Sequence, residues 1–209
     1  SIEKLNSLKN RKKTINEKFD TNQPKSIYGF TKYSSEHLIR EFQYLYKIKY
    51  IINRLGVISG PWQFGKQDQG FVSLWIWKHF IKGKLKYIGY GGKGIQIRDI
   101  IHIDDVCELI ALQIKKINKI NNILLNVGGG KKNSLSLSQL TKLCQKITSN
   151  KIKIYSQKLT SNYDIPYYIT DNSKLKRIYK WEPKKDIIKI INDIYIWMKL
   201  NKNILRKYI

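Results

Sequence analysis

Tyr28 and Lys32 stand four residues apart in the run Ile27-Tyr28-Gly29-Phe30-Thr31-Lys32, at the head of an amphipathic segment. Residues i and i+4 share one face of a helix, so phenol and ammonium are neighbours there. A cation beside a phenol favours the phenolate and lowers a pKa that starts near ~10. Such a pair can take a proton from a hydroxyl and return it near neutral pH, as a general acid/base. The Tyr-x-x-x-Lys spacing by itself is met more often as an ordinary solvated pair, so the surrounding chain must carry the argument.

The elements that would position this pair read as α/β. Residues 1 to 26 are polar and weakly periodic, with Pro24 near their end, and predict a loop. From Tyr28 to Tyr46, Leu38, Ile39, Phe42, Leu45 and Tyr46 recur at helical spacing. Lys49 to Ser59 is a compact β-rich run closed by Gly60-Pro61, and predicts a buried strand. Helix followed by strand is half of a parallel-sheet unit. Further on, the pattern predicts a helix over 71–82 ended by Gly83, a strand over 85–89, and a turn at Gly91 to Gly94. A strand over 95–98, a helix from an Asp104 cap to about Lys116 and a strand over 124–127 follow. Helices over 137–148, 172–179 and 186–200 and a strand over 151–155 complete the reading. Gly128-Gly129-Gly130 follows a strand but lacks the GxGxxG phase and an acid ~20 residues on, so it reads as a structural turn.

The 209 residues suffice for one sizeable domain or parts of two. A net charge of +25 suggests nucleic acid or an anionic surface. The lysines, however, are spread along a chain rich in Ile, Asn and Tyr, the residues that AT-rich codons encode, and no RNA-binding or zinc-finger pattern accompanies them. Cys107 and Cys144 sit in apolar helical patterns, predicting two buried thiols in a reducing compartment rather than a disulfide. His37, His79 and His102 are not spaced as metal ligands, and no apolar run is long enough to span a membrane. His102, between Ile101 and Ile103, reads as a packed, hydrogen-bonded core residue.

Five segments, in order, resemble the extended short-chain dehydrogenase/reductases that act on nucleotide sugars. They are SIYGFTKYSSEHLIREF around Tyr28, Arg54-Leu55-Gly56 through Gly60-Pro61, QIRDIIHIDDV at Gln96 to Val106, Asn126-Val127-Gly128-Gly129, and the Asp171, Trp181, Pro183 pattern. Within that superfamily, GPWQFGKQDQGFV, YIGYGGKGIQIRD and NSLSL are most similar to the epimerases of CDP-linked sugars. The resemblance implies an α/β fold: the C-terminal part of a Rossmann-like parallel sheet, with the catalytic helix and its following strand, plus a smaller α/β substrate-binding lobe. It divides the chain at residue 60, with 1–60 belonging to the NAD-binding domain and 61–209 to the substrate lobe. The glycine-rich NAD loop, and the Ser/Thr that assists the tyrosine, are expected upstream of Ser1, so the chain as given is expected to bind NAD weakly and to be inactive alone.

The roles the resemblance implies are specific. Tyr28 is the acid/base, and Lys32 lowers its pKa and binds the nicotinamide ribose. Arg98 is the candidate for the substrate diphosphate, since a guanidinium fork matches phosphate oxygens in pairs; its competing partners are Asp99 and Asp105. Gln63, Phe64, Asp68 and Gln69 lie on the loop after the strand and are expected to face the sugar nucleotide. Ser161 stands three residues before Asp164, where the family pattern has an arginine that helps hold the nucleotide. The implied reaction is an NAD-dependent epimerisation of a CDP-sugar by transient oxidation at C2, in a cytoplasmic homo-oligomer that needs no metal, nucleic acid or membrane. The alternatives are a nucleotide-sugar 4-epimerase or 4,6-dehydratase and, from other classes, a non-catalytic remnant or a basic nucleic-acid-binding protein.

Overall fold

Ser26 starts the first helix. Its Oγ accepts from the Gly29 N–H at 3.1 Å, and α1 runs Ile27–Tyr46 until Lys47 takes a left-handed conformation. The computed structural model describes residues 13–23, 26–66 and 69–206. No residue of α1 is buried, and Ile27, Leu38, Phe42 and Leu45 form an exposed apolar stripe along it. The helix is tied to the body through Glu36, which takes a two-pronged ion pair from Arg54, with both N–O distances 2.7 Å.

The run expected as one strand over 49–59 is two, β1 (Ile51–Leu55) and β2 (Val57–Ser59), broken at Gly56. At that point the chain passes from one ladder to another: β1 pairs in parallel with β5 (Ile123–Val127), and β2 in parallel with β4 (Ile97–His102). The crossing is tight, since a Cβ on Gly56 would come within 3.1 Å of Thr170 Oγ1 and 3.4 Å of Gly128 Cα. Its N–H donates to Val127 O at 2.8 Å.

β4 is the hub of the second sheet. Beyond β2 it pairs antiparallel with β6 (Ser134–Ser136) and parallel with β8 (Tyr167–Tyr168). It starts later than expected and runs to His102. Side chains alternate across a strand, so Ile100 and Ile101 enter opposite cores. Ile100 packs with α2 (Phe71–Phe80), α4 (Leu137–Thr148) and α6 (Ile187–Leu200) through Ile76, Trp77, Leu140, Ile190 and Ile194. Ile101 packs with α3 (Ile103–Lys116), β5 and α5 (Ser173–Tyr179) through Leu109, Leu125 and Leu175. A separate parallel pair, β3 (Leu85–Ile88) with β7 (Ile154–Gln157), stands beside the first core. A short helix, α7 (Lys202–Leu205), follows α6.

Three expectations need correction. His102, not Asp104, caps α3: its Nδ1 accepts from the Asp104 N–H at 3.0 Å, and the helix begins at Ile103. The seventh strand lies at 154–157 rather than 151–155. Cys144 is buried, and burial pushes its thiol up, but Cys107 is exposed because α3 turns Asp105, Val106, Leu109 and Gln113 inward instead. No helix among the described residues is long and apolar enough to cross a membrane.

Two buried histidines set an acid limit to stability. His79 Nδ1 donates to Trp75 O at 2.7 Å, and burial lowers its pKa. His102 is buried as expected, and its pKa is lowered by burial and then by the Lys185 charge, against the pull of Asp104, Asp193 and Asp105. With folded values below the unfolded ~6.5, the unfolded chain binds these protons first. Their contribution is therefore complete above that pH and is lost as pH falls through it, at up to ~1.4 kcal/mol per pH unit per group. Urea unfolding between pH 7.5 and 5.5 is expected to show a falling midpoint, with a shallower fall in His79→Gln. Parallel curves for variant and parent would contradict this.

Candidate active site

A cleft of about 930 Å³ opens between one side of α2, β3, the start of α4 and the loop around residues 161–164. Its floor is apolar, built from Leu74, Ile88, Leu135 and Leu140, and Tyr155 and Tyr163 stand at its sides. Among the residues that the sequence singles out for substrate binding, Arg98 lines this cleft. It lies on β4 between Ile97 and Asp99, so the first core and the β6 ladder both fix its backbone.

Arg98 is engaged by the protein itself. Nη2 donates to Asp164 Oδ1 at 2.9 Å and to Ile165 O at 2.6 Å, and Nη1 donates to Ile97 O at 2.8 Å. Burial works against its charge, and the Asp164 carboxylate beside it offsets part of that cost. Neither expected competitor is its partner. Asp99 is fully buried and accepts from the Gly130 N–H at 2.9 Å; Asp105 accepts from the Lys184 and Lys185 N–H groups at 3.2 and 3.1 Å. Tyr90 lies close enough to sense both charges: burial, then Asp164, push its phenol up to about 12.

Tyr28 and Lys32 share one side of α1, with Lys32 Nζ 5.4 Å from the centre of the Tyr28 ring. Tyr28 is 70% exposed, and neither residue lines the cleft. The loop residues also stand apart from it. Gln63 Oε1 accepts from Ser59 and Ser73 hydroxyls at 3.0 and 3.2 Å, and its Nε2 donates to Ile58 O at 3.1 Å, so the amide knits β2 to α2. Phe64 packs edge-on against Trp197 at 6.0 Å. The Gln69 carbonyl accepts from the Lys66 N–H at 2.7 Å. Asp68 lies outside the described residues.

The triple glycine is a packing device. A Cβ on Gly128 would lie 2.4 Å from Asp99 Oδ2, and one on Gly129 2.0 Å from Ile100 O, and the Gly128 and Gly130 N–H groups already donate to Asn172 Oδ1 at 3.1 Å and Asp99 Oδ2 at 2.9 Å. Tyr28 and Lys32 have the chemistry to hold the nicotinamide ribose end of NAD; that triplet does not have the geometry to hold its pyrophosphate. Sequence reasoning did not find Asp164 as the partner of Arg98, nor Lys84 and Lys86 as cleft residues. The signal for the lysines is the alternation Lys84, Lys86, Ile88, which a strand turns into one face.

Parallel ladders covered by helices, beside a cleft with a part-buried arginine on its wall, define a Rossmann-like α/β protein. A sequence profile of the NAD dependent epimerase/dehydratase family matches residues 6–128, more than half of the chain, which belongs to that family. Among curated relatives, CDP-paratose 2-epimerase of Salmonella typhi is 25% identical over 174 residues, covering 82% of this chain and 51% of that protein. A putative UDP-glucose 4-epimerase of Methanocaldococcus jannaschii is 31% identical over 181 residues, covering 85% and 55%. Among solved structures, a UDP-glucose 4-epimerase of Thermotoga maritima with UDP-glucose superposes with a TM-score of 0.75 at 26% identity, covering 86% of this chain and 55% of that one. The chain thus spans about half the length of the curated relatives it matches.

Proposed function

We propose that this chain carries the substrate-binding part and the proton-transfer helix of an NAD-dependent nucleotide-sugar epimerase, and that its reaction is the interconversion of CDP-paratose and CDP-tyvelose. The cleft with Arg98 at its wall is the observation that carries the reading. Its volume suits a nucleotide, its floor is apolar enough to hold a base, and its arginine suits a diphosphate. The CDP-sugar assignment rests on the segments at 60–72, 87–99 and 133–137 and is supported by the Salmonella typhi relative.

NAD, when bound, supplies a reversible hydride acceptor for the sugar carbon being inverted. Tyr28 takes the hydroxyl proton as that carbon is oxidised and returns it on reduction; Lys32 beside it keeps the phenol able to do so and holds the nicotinamide ribose. Gln63, Phe64, Asp68 and Gln69 remain proposed as the loop that faces the sugar. Residues 1–60 belong with the dinucleotide-binding half and 61–209 with the substrate lobe. Exposed apolar side chains on α1 support assembly with further protein, a homo-oligomer in the cytoplasm in this reading.

The test is an assay of the whole protein with CDP-paratose beside UDP-glucose and UDP-glucuronate, with NAD present. Epimerisation of the CDP-sugar alone is the expected result; turnover only of a UDP-sugar would keep the family and discard the substrate. Arg98→Ala is expected to raise KM about tenfold or more with a smaller effect on kcat, because the lost contact is to substrate. An unchanged KM would remove Arg98 from the site.

A further inference from the structure

Three lysines line the cleft without an ionic partner among the described residues. Lys84, Lys86 and Ile88 share the cleft face of β3 and its approach, while Tyr87 turns to the core and Leu85 belongs to the core and also reaches the cleft. Lys78 comes to the same region from the last turn of α2. Its stem lies across Gly83, where a Cβ would come within 2.9 Å of Lys78 Cδ. None of the three joins an ion pair among the described residues, whose pairs lie elsewhere.

The cleft is therefore unbalanced. Its described lining carries four cations, Lys78, Lys84, Lys86 and Arg98, against one carboxylate, Asp164, which Arg98 already holds. Lysines scattered over an exposed surface of this basic chain would need no explanation. Four cations against one acid in a concave space with apolar walls concentrate the potential on whatever enters. Ser161 lines the same cleft, at the position where the resemblance leads to the expectation of an arginine.

We propose that Lys84 and Lys86 supply the second cationic group for the substrate diphosphate, in place of the arginine missing at Ser161. This rests on the nucleotide-sugar reading. Lys86 is the parallel partner of Tyr155 across the β3–β7 ladder, and both line the cleft. Two ammonium groups on flexible stems act as point charges, without the fixed fork of a guanidinium. They hold phosphate oxygens with less geometric demand, and their contribution is screened by salt because both are exposed.

Calorimetric titration of the 209-residue chain with CDP, UDP and cytidine tests this, since every group invoked lies in the chain. Lys84→Met/Lys86→Met is expected to weaken CDP binding about tenfold or more, to leave cytidine binding unchanged, and to flatten the dependence of CDP affinity on salt. Ser161→Arg in that double variant is expected to restore most of the loss, which a merely structural effect of the lysines would not permit. If the parent binds CDP or UDP and the double variant binds them equally well, this inference falls and the nucleotide-sugar reading stands. If the parent binds neither diphosphate, the nucleotide reading of the cleft falls and takes the inference with it.

Discussion

Tyr28→Phe in the whole enzyme is expected to keep the fold and lose turnover by ~10²–10⁴, the usual worth of a positioned acid/base. The ring is 70% exposed in this chain and its hydroxyl has no hydrogen-bond partner among the described residues, so stability and circular dichroism should be unaltered. Binding of CDP to the cleft should also be unaltered, since Tyr28 lies outside its lining. Lys32→Ala should reduce turnover as well, because it removes the group proposed to hold the nicotinamide ribose beside the tyrosine. Normal turnover by Tyr28→Phe, measured with any nucleotide sugar the parent accepts, would remove the tyrosine from the chemistry.

Trp77→Ala carries the largest expected effect on stability. Trp77 is fully buried at the meeting of α2, α4 and α6, the helices behind the cleft. Truncating it removes a large transfer free energy and leaves a cavity that three packed helices fill poorly. The expected cost is ~3–5 kcal/mol, a large part of the stability of a domain this size. Chemical denaturation should show a midpoint shift of that magnitude, with α2 and β3 displaced enough to weaken CDP binding in parallel. A loss below ~1 kcal/mol would mean the helices close over the gap, and that this core is packed more loosely than its burial implies.

Periodicity made the helices legible. α1, α4 and α6 begin within one residue of where Ser26, Ser136 and Asp186 can cap them, and each cap is made: Ser136 and Gln139 form a reciprocal box, and Asp186 Oδ1 accepts from the Lys189 N–H at 2.8 Å. The strands were less legible, for local reasons. β6 and β8 are three and two residues long, too short for alternation to register, and exist because β4 offers them an edge. The break at Gly56 is invisible in a run of β-formers, since a change of pairing partner leaves no mark on composition. For the site, residue type and spacing located Arg98 but not its partner, because Asp164 comes from a loop 66 residues further on. The lysines of β3 were hidden by abundance: in a chain with 40 lysines and arginines, position in the fold alone separates two of them from the rest.

The attachment of α1 has a mechanical consequence. The cleft arginine stands on a strand clamped by a core on either side, but the helix bearing Tyr28 is grounded at Glu36 through an ion pair, with none of its own side chains buried. Eight residues separate Glu36 from Tyr28, an arm of about 12 Å at helical rise, so a tilt of about 5° there swings the phenol by about 1 Å. Misplacement of that order is enough to cost on the order of 10²-fold in a reaction that depends on alignment. In the proposed reading α1 is thus a lever pivoting near Glu36, and a partner laid along its apolar stripe would aim the phenol at its far end.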